Sequence, residues 1–368
     1  MQLTLTRLSC PSCGAPLTFQ PGAVSVRCPF CDTETLLGGR SDLTDVSVET
    51  RQVAPFTSTA EAFQQALLVW LSEGDYTPDD ILEQALLKEH SGIFLPVWRL
   101  TGELHADFSA SAGYDRKVEK VVERTDSDGN VKRDVQRRTV TDWRPFRGEA
   151  TAPYRVWVLG SASVPESLQD WAETVTSGCE AWQELSPDLL GDHLVEEFGV
   201  DADAALAGRG RASVEKTARE RCEERVPGDR MKDLTMEVRT RDERAEPHLH
   251  PFWFAAFEYG GQTFPVGMSG RDLTQSTGER PVDADRQARV TALRRPWKIS
   301  LAVTIVATVI GLCAGVAPGI VALIIGGIVT AALGWSARKK VDAIFEASHA
   351  VRQRVLERVQ GAVSGATD

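Results

Sequence analysis

The chain has 368 residues, 42% of them hydrophobic and 7% aromatic, a mixture that sustains two or three globular domains. A net charge of −11 excludes a surface built overall for phosphate backbones. The imbalance is already clear in residues 1–90, where five basic side chains face twelve acidic ones. Seven cysteines, with only Cys179, Cys222 and Cys313 outside two close pairs, exclude a distributed disulfide framework.

No charged segment followed by an apolar one opens the chain, so the expectation is that the N-terminal part stays in a reducing cytoplasm. There "CPSCGAPLTFQPGAVSVRCPFC" places Cys10, Cys13, Cys28 and Cys31 at C-x2-C-x14-C-x2-C spacing. Each pair forms a knuckle with both sulfurs toward one ion, and Pro11, Gly14 and Pro29 suit the turns. Four thiolates close a tetrahedron, which predicts a structural Zn2+ rather than a catalytic one. Forty residues bury too little core alone, so metal supplies the stability of a four-cysteine zinc ribbon over 1–40. Leu17 to Phe19 and Val24 to Val26 read as two strands joined at Pro21-Gly22, with a third from Thr33 to Leu37.

Ser58 and Thr59 can cap a helix that puts Phe63, Ala66, Leu67 and Trp70 on one face. "TPDDILEQALLKEH" reads as a second helix ended by Gly92, which makes 41–92 a helical connector. The period then changes to two. From Trp98 to Phe108 apolar residues alternate with Arg99, Thr101, Glu103, His105 and Asp107, a strand with one face in the core. "YRVWVLG" and "LTMEVRT" continue the pattern, and "FWFAAFEYGGQTFPVGM" reads as a hairpin turning at Gly260-Gly261. A charged hairpin over 114–143 turns at Asp128-Gly129 or Gly129-Asn130; Asp126 and Asp128 lack the closing glutamate of a calcium loop. Helices are expected over 166–185, 187–198 and 202–226, completing a mostly antiparallel α+β domain over 93–290.

"APFTSTAEAFQQALLVWL", "FLPVWRLTGEL" and "HPFWFAAFEYGGQTF…TGERP" follow the cysteine pairs in that order. Together with the Pro-x-Trp strand starts at 96–98 and 251–253, this arrangement resembles a family of bacterial TFIIB-type zinc-ribbon membrane proteins, often labelled primosomal protein N′-like. The likeness spans residues 10–336. Asp32 stands where a knuckle glycine is usual, and "VGMSGRDLTQSTGERP" lacks the Asn-Gly turn of that pattern. The resemblance implies an adaptor at the cytoplasmic face of the membrane, with phage-shock-like stress proteins among its partners.

A search for chemistry returns no phosphate loop, dinucleotide fingerprint or nucleophile elbow. His105 with Glu103 and Asp107 reads as a solvated strand face. His248 and His250 read as a polar approach to the hairpin rather than a second metal site, and the charges from Arg209 to Arg225 as a solvated helix. No catalytic or cofactor-binding residue emerges.

Residues 299–334 contain no charge. As one helix these 36 residues would measure about 54 Å, against a hydrocarbon core of about 30 Å. A turn at Gly315-Val-Ala-Pro-Gly319 splits them into a transmembrane helical hairpin within 296–336. Arg289, Arg294, Arg295 and Lys298 precede the stretch, and Arg338, Lys339 and Lys340 follow it, which predicts two spans with both termini cytoplasmic. Trp297 and Trp335 sit at the interfaces, and Gly311, Gly315, Gly326 and Gly327 allow close helix approach. Over 337–368 an amphipathic helix carries Val341, Phe345, Ser348, Val351, Val355 and Val359 on one seam, with Arg352 away from it. Docking on its own domain, on lipid and on a partner all remain open at this point.

The reading that remains is a membrane-anchored zinc-ribbon adaptor that scaffolds proteins at the inner membrane face, with self-association open. A tethered nucleic-acid protein is disfavoured by charge, and an enzyme by the empty motif search.

Overall fold

The computed structural model describes residues 3–19, 21, 23–30, 33–38, 40, 42–48, 50, 52–87, 91–125, 131–314 and 316–365. Its first elements are β1 (Leu3–Ser9), β2 (Pro16–Phe19), β3 (Ser25–Arg27), β4 (Glu34–Leu36), β5 (Thr44–Val48) and β6 (Gln52–Val53). Next come α1 (Ala60–Ser72), α2 (Ile81–Gln84), β7 (Leu86–Leu87), β8 (Ser91–Thr125), β9 (Val131–Leu159) and α3 (Glu166–Ser177). The middle continues with β10 (Gln183–Glu184), α4 (Pro187–Leu190), β11 (Leu194–Glu196), α5 (Ala202–Ala205), a π turn (Leu206–Gly210) and α6 (Arg211–Glu223). The last are β12 (Arg230–Tyr259), β13 (Gln262–Ser269), β14 (Ser276–Gly278), α7 (Ala284–Ala314) and α8 (Val316–Gly365). The fold is mixed α+β with two long apolar helices near the C-terminus. Two compact units divide it: Met1–Pro55 with Phe94–Pro251, and Phe56–Ile93 with Phe252–Asp368.

The first unit is organised by the alternation in β8. Leu100, Leu104, Ala106 and Phe108 are buried, while Glu103 faces water. β9 pairs antiparallel with β8 from Val97↔Leu159 to Thr125↔Val131, so the charged hairpin is one continuous ladder. Its expected turn at Asp128-Gly129 lies outside the described residues. On its other side β8 pairs with β12, whose register shifts between Lys232 and Thr235 and between Arg241 and Arg244. Across the buried face lie Val214, Ala218 and Cys222 of α6, spaced four residues apart on one side of the helix. The sheet order is β10-β6-β12-β8-β11-β2-β1-β5, with β9 on β8.

Three local expectations in this unit are corrected. Leu17 to Phe19 do not pair with Val24 to Val26; β2 pairs instead with β1 and β11, and β3 pairs with β4. Residues 187–198 form the short α4 and then strand β11, because Gly191, at φ 53°, interrupts the helical turn. The helix expected over 166–185 stops at Ser177, before Gly178.

In the second unit, Thr59 caps α1, its Oγ1 accepting from the Ala62 amide at 3.2 Å. Phe63, Leu67, Trp70 and Leu71 pack on Trp253, Phe257, Val266 and Met268. Phe63 stacks on Trp253 with ring centroids 5.4 Å apart, and each such burial contributes about 1.5–3 kcal/mol. The β12–β13 hairpin turns at Gly260 and Gly261, with φ of 58° and 77°, the left-handed pair that a two-residue hairpin loop requires. The helix expected over 77–90 is confined to α2. Leu86 and Leu87 leave it to pair with Glu258 and Phe257, a strand pairing that outcompetes continued helix.

α7 and α8 are each long and apolar enough to cross a membrane. Their apolar side chains, such as Ile305, Val309, Ile324 and Ile328, are exposed, unlike those of a core helix. Between them Ser300 and Thr330 share a hydroxyl hydrogen bond of 2.8 Å. A side chain at Gly326 would strike Thr304, whereas Gly327 faces open space. Gly315 lies outside the described residues.

α8 runs on without a break into the amphipathic segment, which docks within its own unit. Phe345 meets Tyr76 edge to face at 5.4 Å, and Val341, Ser348, Val355 and Leu356 are buried. The arginine placed off the seam is the exception that the structure corrects: Arg352 is 0% exposed. Its Nε donates to the Ser72 carbonyl at 2.7 Å, and its two terminal nitrogens donate to the carbonyls of Thr77 at 2.7 Å and Gly74 at 2.6 Å. Arg286 donates to the Thr77 carbonyl at 2.6 Å and to Asp79. These guanidiniums, with Arg280 on the Trp70 carbonyl at 3.1 Å, satisfy the carbonyl end of α1 and the loop after it.

Candidate metal centre

β1 delivers Cys10 and β2 leaves from Ala15, so the first knuckle is the connection between two paired strands. The Cys10 amide donates to the Ala15 carbonyl at 2.9 Å, and the Gly14 amide to the Cys10 carbonyl at 2.9 Å. Gly14 adopts φ 78°, the left-handed conformation that lets the chain fold back on Cys10. At the second pair, the Cys28 amide donates to the Thr33 carbonyl at 3.0 Å after β3. Its Arg27 and Glu34 pair across β3 and β4 at 3.2 Å.

These turns bring the sulfurs of Cys10, Cys13 and Cys28 within 4.8 Å of one another. Cys13 Sγ and Cys28 Sγ are 3.5 Å apart. A tetrahedral zinc with bonds of about 2.3 Å sets sulfurs about 3.8 Å apart, so the donor set fits this ion in type and spacing. Cys10 and Cys28 are buried and Cys13 is exposed. Cys31, the expected fourth ligand, lies outside the described residues. Bound zinc would hold these three thiolates as a cross-link, tying β1 and β2 to the β3–β4 hairpin.

His105, Asp107 and Glu149 also bring their ligand atoms within 4.8 Å of one another. His105 Nδ1 is 2.9 Å from Thr151 Oγ1, and its Nε2 is 3.5 Å from Asp107. Arg239 holds the same Asp107 at 3.2 Å. His248 and His250 are each 1% exposed rather than part of a polar approach. The His248 ring lies edge-on to Trp157 at 5.1 Å and Trp182 at 4.8 Å. Burial pushes its pKa down, which keeps the imidazole neutral among the indoles. In the helix expected to be merely solvated, Arg209 is bound by both Glu173 oxygens at 2.7 Å and by Asp170.

A model of the LSD1 zinc finger matches residues 10–33. No curated protein and no solved structure matches the chain. The class defined by finger and fold together is therefore an α+β protein with an N-terminal cysteine zinc finger and two membrane-length C-terminal helices. The TFIIB-type and primosomal labels find no counterpart in these comparisons; the finger is of the LSD1 type.

Proposed function

We propose that the protein is a membrane-anchored adaptor, with α7 and α8 as a two-span hairpin and both termini in the cytoplasm. One zinc, with Cys31 as fourth ligand, stiffens the finger. The observation that carries this reading is the continuity of α8. One helix passes from an exposed apolar stretch to a polar clamp at Arg352 in a folded body. Anchor and body are thus joined without a linker.

The finger supplies a contact surface of its own. Val24, just before β3, and Leu36 in β4 are 78% and 70% exposed, although both are apolar. The resemblance to bacterial zinc-ribbon membrane proteins supports stress proteins of the phage-shock kind as partners at the inner membrane face. A nucleic-acid role is less well supported: Arg7 pairs with Glu197, Arg27 with Glu34 and Arg40 with Asp42, leaving no basic stripe on these residues.

Cross-linking and affinity purification from membranes tests the proposal. A chain cut at 295 would lose Val341, Ser348, Arg352 and Leu356 from its core, so the comparison uses the full chain. Specific partners recovered with wild type should fall about tenfold with Val24→Asp/Leu36→Asp, as expected from losing one or two apolar anchors. No specific partner with wild type, or equal recovery with the variant, would overturn the adaptor reading.

A further inference from the structure

In the first unit β9, β8 and β12 run side by side, and their polar face carries charge in register. Asp107 of β8 stands directly opposite Glu149 of β9 on one side and Glu237 of β12 on the other. Like charges facing across a ladder destabilise it, so three carboxylates in one row call for a cation. Among the described residues, Arg239 is the cation paired with them. It meets Asp107 Oδ2 at 3.2 Å and Glu237 Oε1 at 3.3 Å. At 58% exposure it holds both partners weakly. No cation pairs with the Glu149 carboxylate among the described residues; Arg225 takes the Glu149 main-chain carbonyl instead, at 2.7 Å.

The neighbouring row adds a donor of another kind. His105 precedes Asp107 by two residues in β8, so both side chains emerge on one face. His105 Nδ1 is 2.9 Å from Thr151 Oγ1, and its Nε2 is 3.5 Å from Asp107 Oδ1. In the tautomer whose Nδ1–H donates to Thr151, the Nε2 lone pair faces that carboxylate oxygen with no proton between them. Histidines that bind metals are held in this way, one nitrogen on an oxygen and the other free for the ion. One ligand atom each from His105, Asp107 and Glu149 lie within 4.8 Å of one another.

Metal bonds of about 2.0–2.2 Å set neighbouring donors about 3.0–3.6 Å apart, so His105 and Asp107 already stand at ligand spacing. The exposed Glu149 has a side chain long enough to close the remaining distance. His105 and Asp107 are 32% and 40% exposed, so an ion reaches them from solvent and water completes its coordination. Ca2+ and Mg2+ take oxygen ligands rather than imidazole, and soft ions take thiolate. One imidazole with two carboxylates suits a borderline first-row ion.

We propose that this sheet face is a second metal site, binding one first-row divalent transition-metal ion through His105 Nε2, Asp107 Oδ1 and a Glu149 carboxylate oxygen. Glu237 adds negative charge beside the ion, and Arg239 stays on the other Asp107 oxygen. Glu103 shares the face but lies one row further on, between Pro153 and Arg241, and is not a ligand. The site is independent of the finger and of the adaptor reading.

Cobalt titration of tag-free, zinc-loaded, full-length protein in detergent micelles tests this, read by calorimetry and visible absorption. One Co2+ per chain should bind in addition to the zinc of the finger, with a Kd of about 10 μM or below. Its spectrum should show the ligand-field bands of a nitrogen–oxygen site and no thiolate-to-cobalt charge transfer. Mg2+ in about hundredfold excess should not displace it. His105→Gln, Asp107→Asn and Glu149→Gln should each weaken binding at least about tenfold. Glu103→Gln, the same loss of charge one row away, should leave it within about twofold. No additional cobalt bound at about 1 mM, a thiolate band that accounts for the bound cobalt, displacement by Mg2+, or an equal loss in Glu103→Gln would overturn the proposal. The wild-type stoichiometry, spectrum and Mg2+ competition decide it even where a variant fails to fold.

Discussion

Replacing Cys10 and Cys28 together by serine should lower the zinc content of the purified protein from the proposed one ion per chain to none. These two cysteines are the buried members of the sulfur cluster, one from each knuckle, so no pair of thiolates on one side survives intact. Zinc binding is worth about 10–16 kcal/mol in finger peptides, far more than so small a module gains from its own core. The structure adds where the loss spreads. β2 is both the exit of the first knuckle and the partner of β11, through Thr18↔Val195 and Leu17↔Glu196. Amide exchange should therefore accelerate over 3–19 and also over 194–196, more than 170 residues away in the chain. Elemental analysis and hydrogen-exchange mass spectrometry measure the two effects. Zinc retained undiminished in the double variant would refute the metal assignment, and unchanged exchange at β11 would refute the coupling.

The second large effect is at Arg352. Arg352→Ala should destabilise the second unit by about 3–5 kcal/mol, the range for removing one partner from a buried charged network. The Ser72 and Gly74 carbonyls would lose the guanidinium donor described here, while the Thr77 carbonyl would keep Arg286. Burial, and then the neighbouring Arg286 charge, lower the Arg352 pKa, yet a guanidinium starts high enough to remain charged. Arg352→Lys should fall between wild type and Ala, because one ammonium cannot span carbonyls that a planar fork reaches together. Exchange of amides 341–356, alongside thermal unfolding in micelles, reads the effect. Wild-type protection in Arg352→Ala would mean that apolar residues such as Val341 and Leu356 hold α8 in place unaided.

How much of this was legible in the sequence depended on how local the cause was. The alternation of Trp98 to Phe108, the Gly260-Gly261 turn and the two long apolar helices each express a short-range rule and appear where expected, and the cysteine spacing does so for Cys10, Cys13 and Cys28. Pairing partners were not legible. Nothing near Leu17 announces that it stands opposite Glu196, because that register is set by chain 179 residues away. Short strands such as Leu86–Leu87 and Leu194–Glu196 carry no periodicity long enough to detect, so helical propensity filled the gap wrongly. Arg352 failed for a further reason. Charge ordinarily marks the solvent side of a helix, and only the unsatisfied carbonyls at the end of α1 make its burial favourable. Glu196 is the same kind of case. As one acid among many it reads as surface, and its buried, half-satisfied carboxyl emerges only once β11 is placed against Ser161.

The membrane arrangement is tested most directly by reporter fusions to the full chain. One reporter is inserted after residue 290, ahead of the apolar stretch of α7, and the other is joined after residue 368. With basic residues flanking the apolar stretch at both ends, both reporters should register the cytoplasm. Reporters on opposite sides of the membrane would mean a single span and would contradict the two-helix anchor.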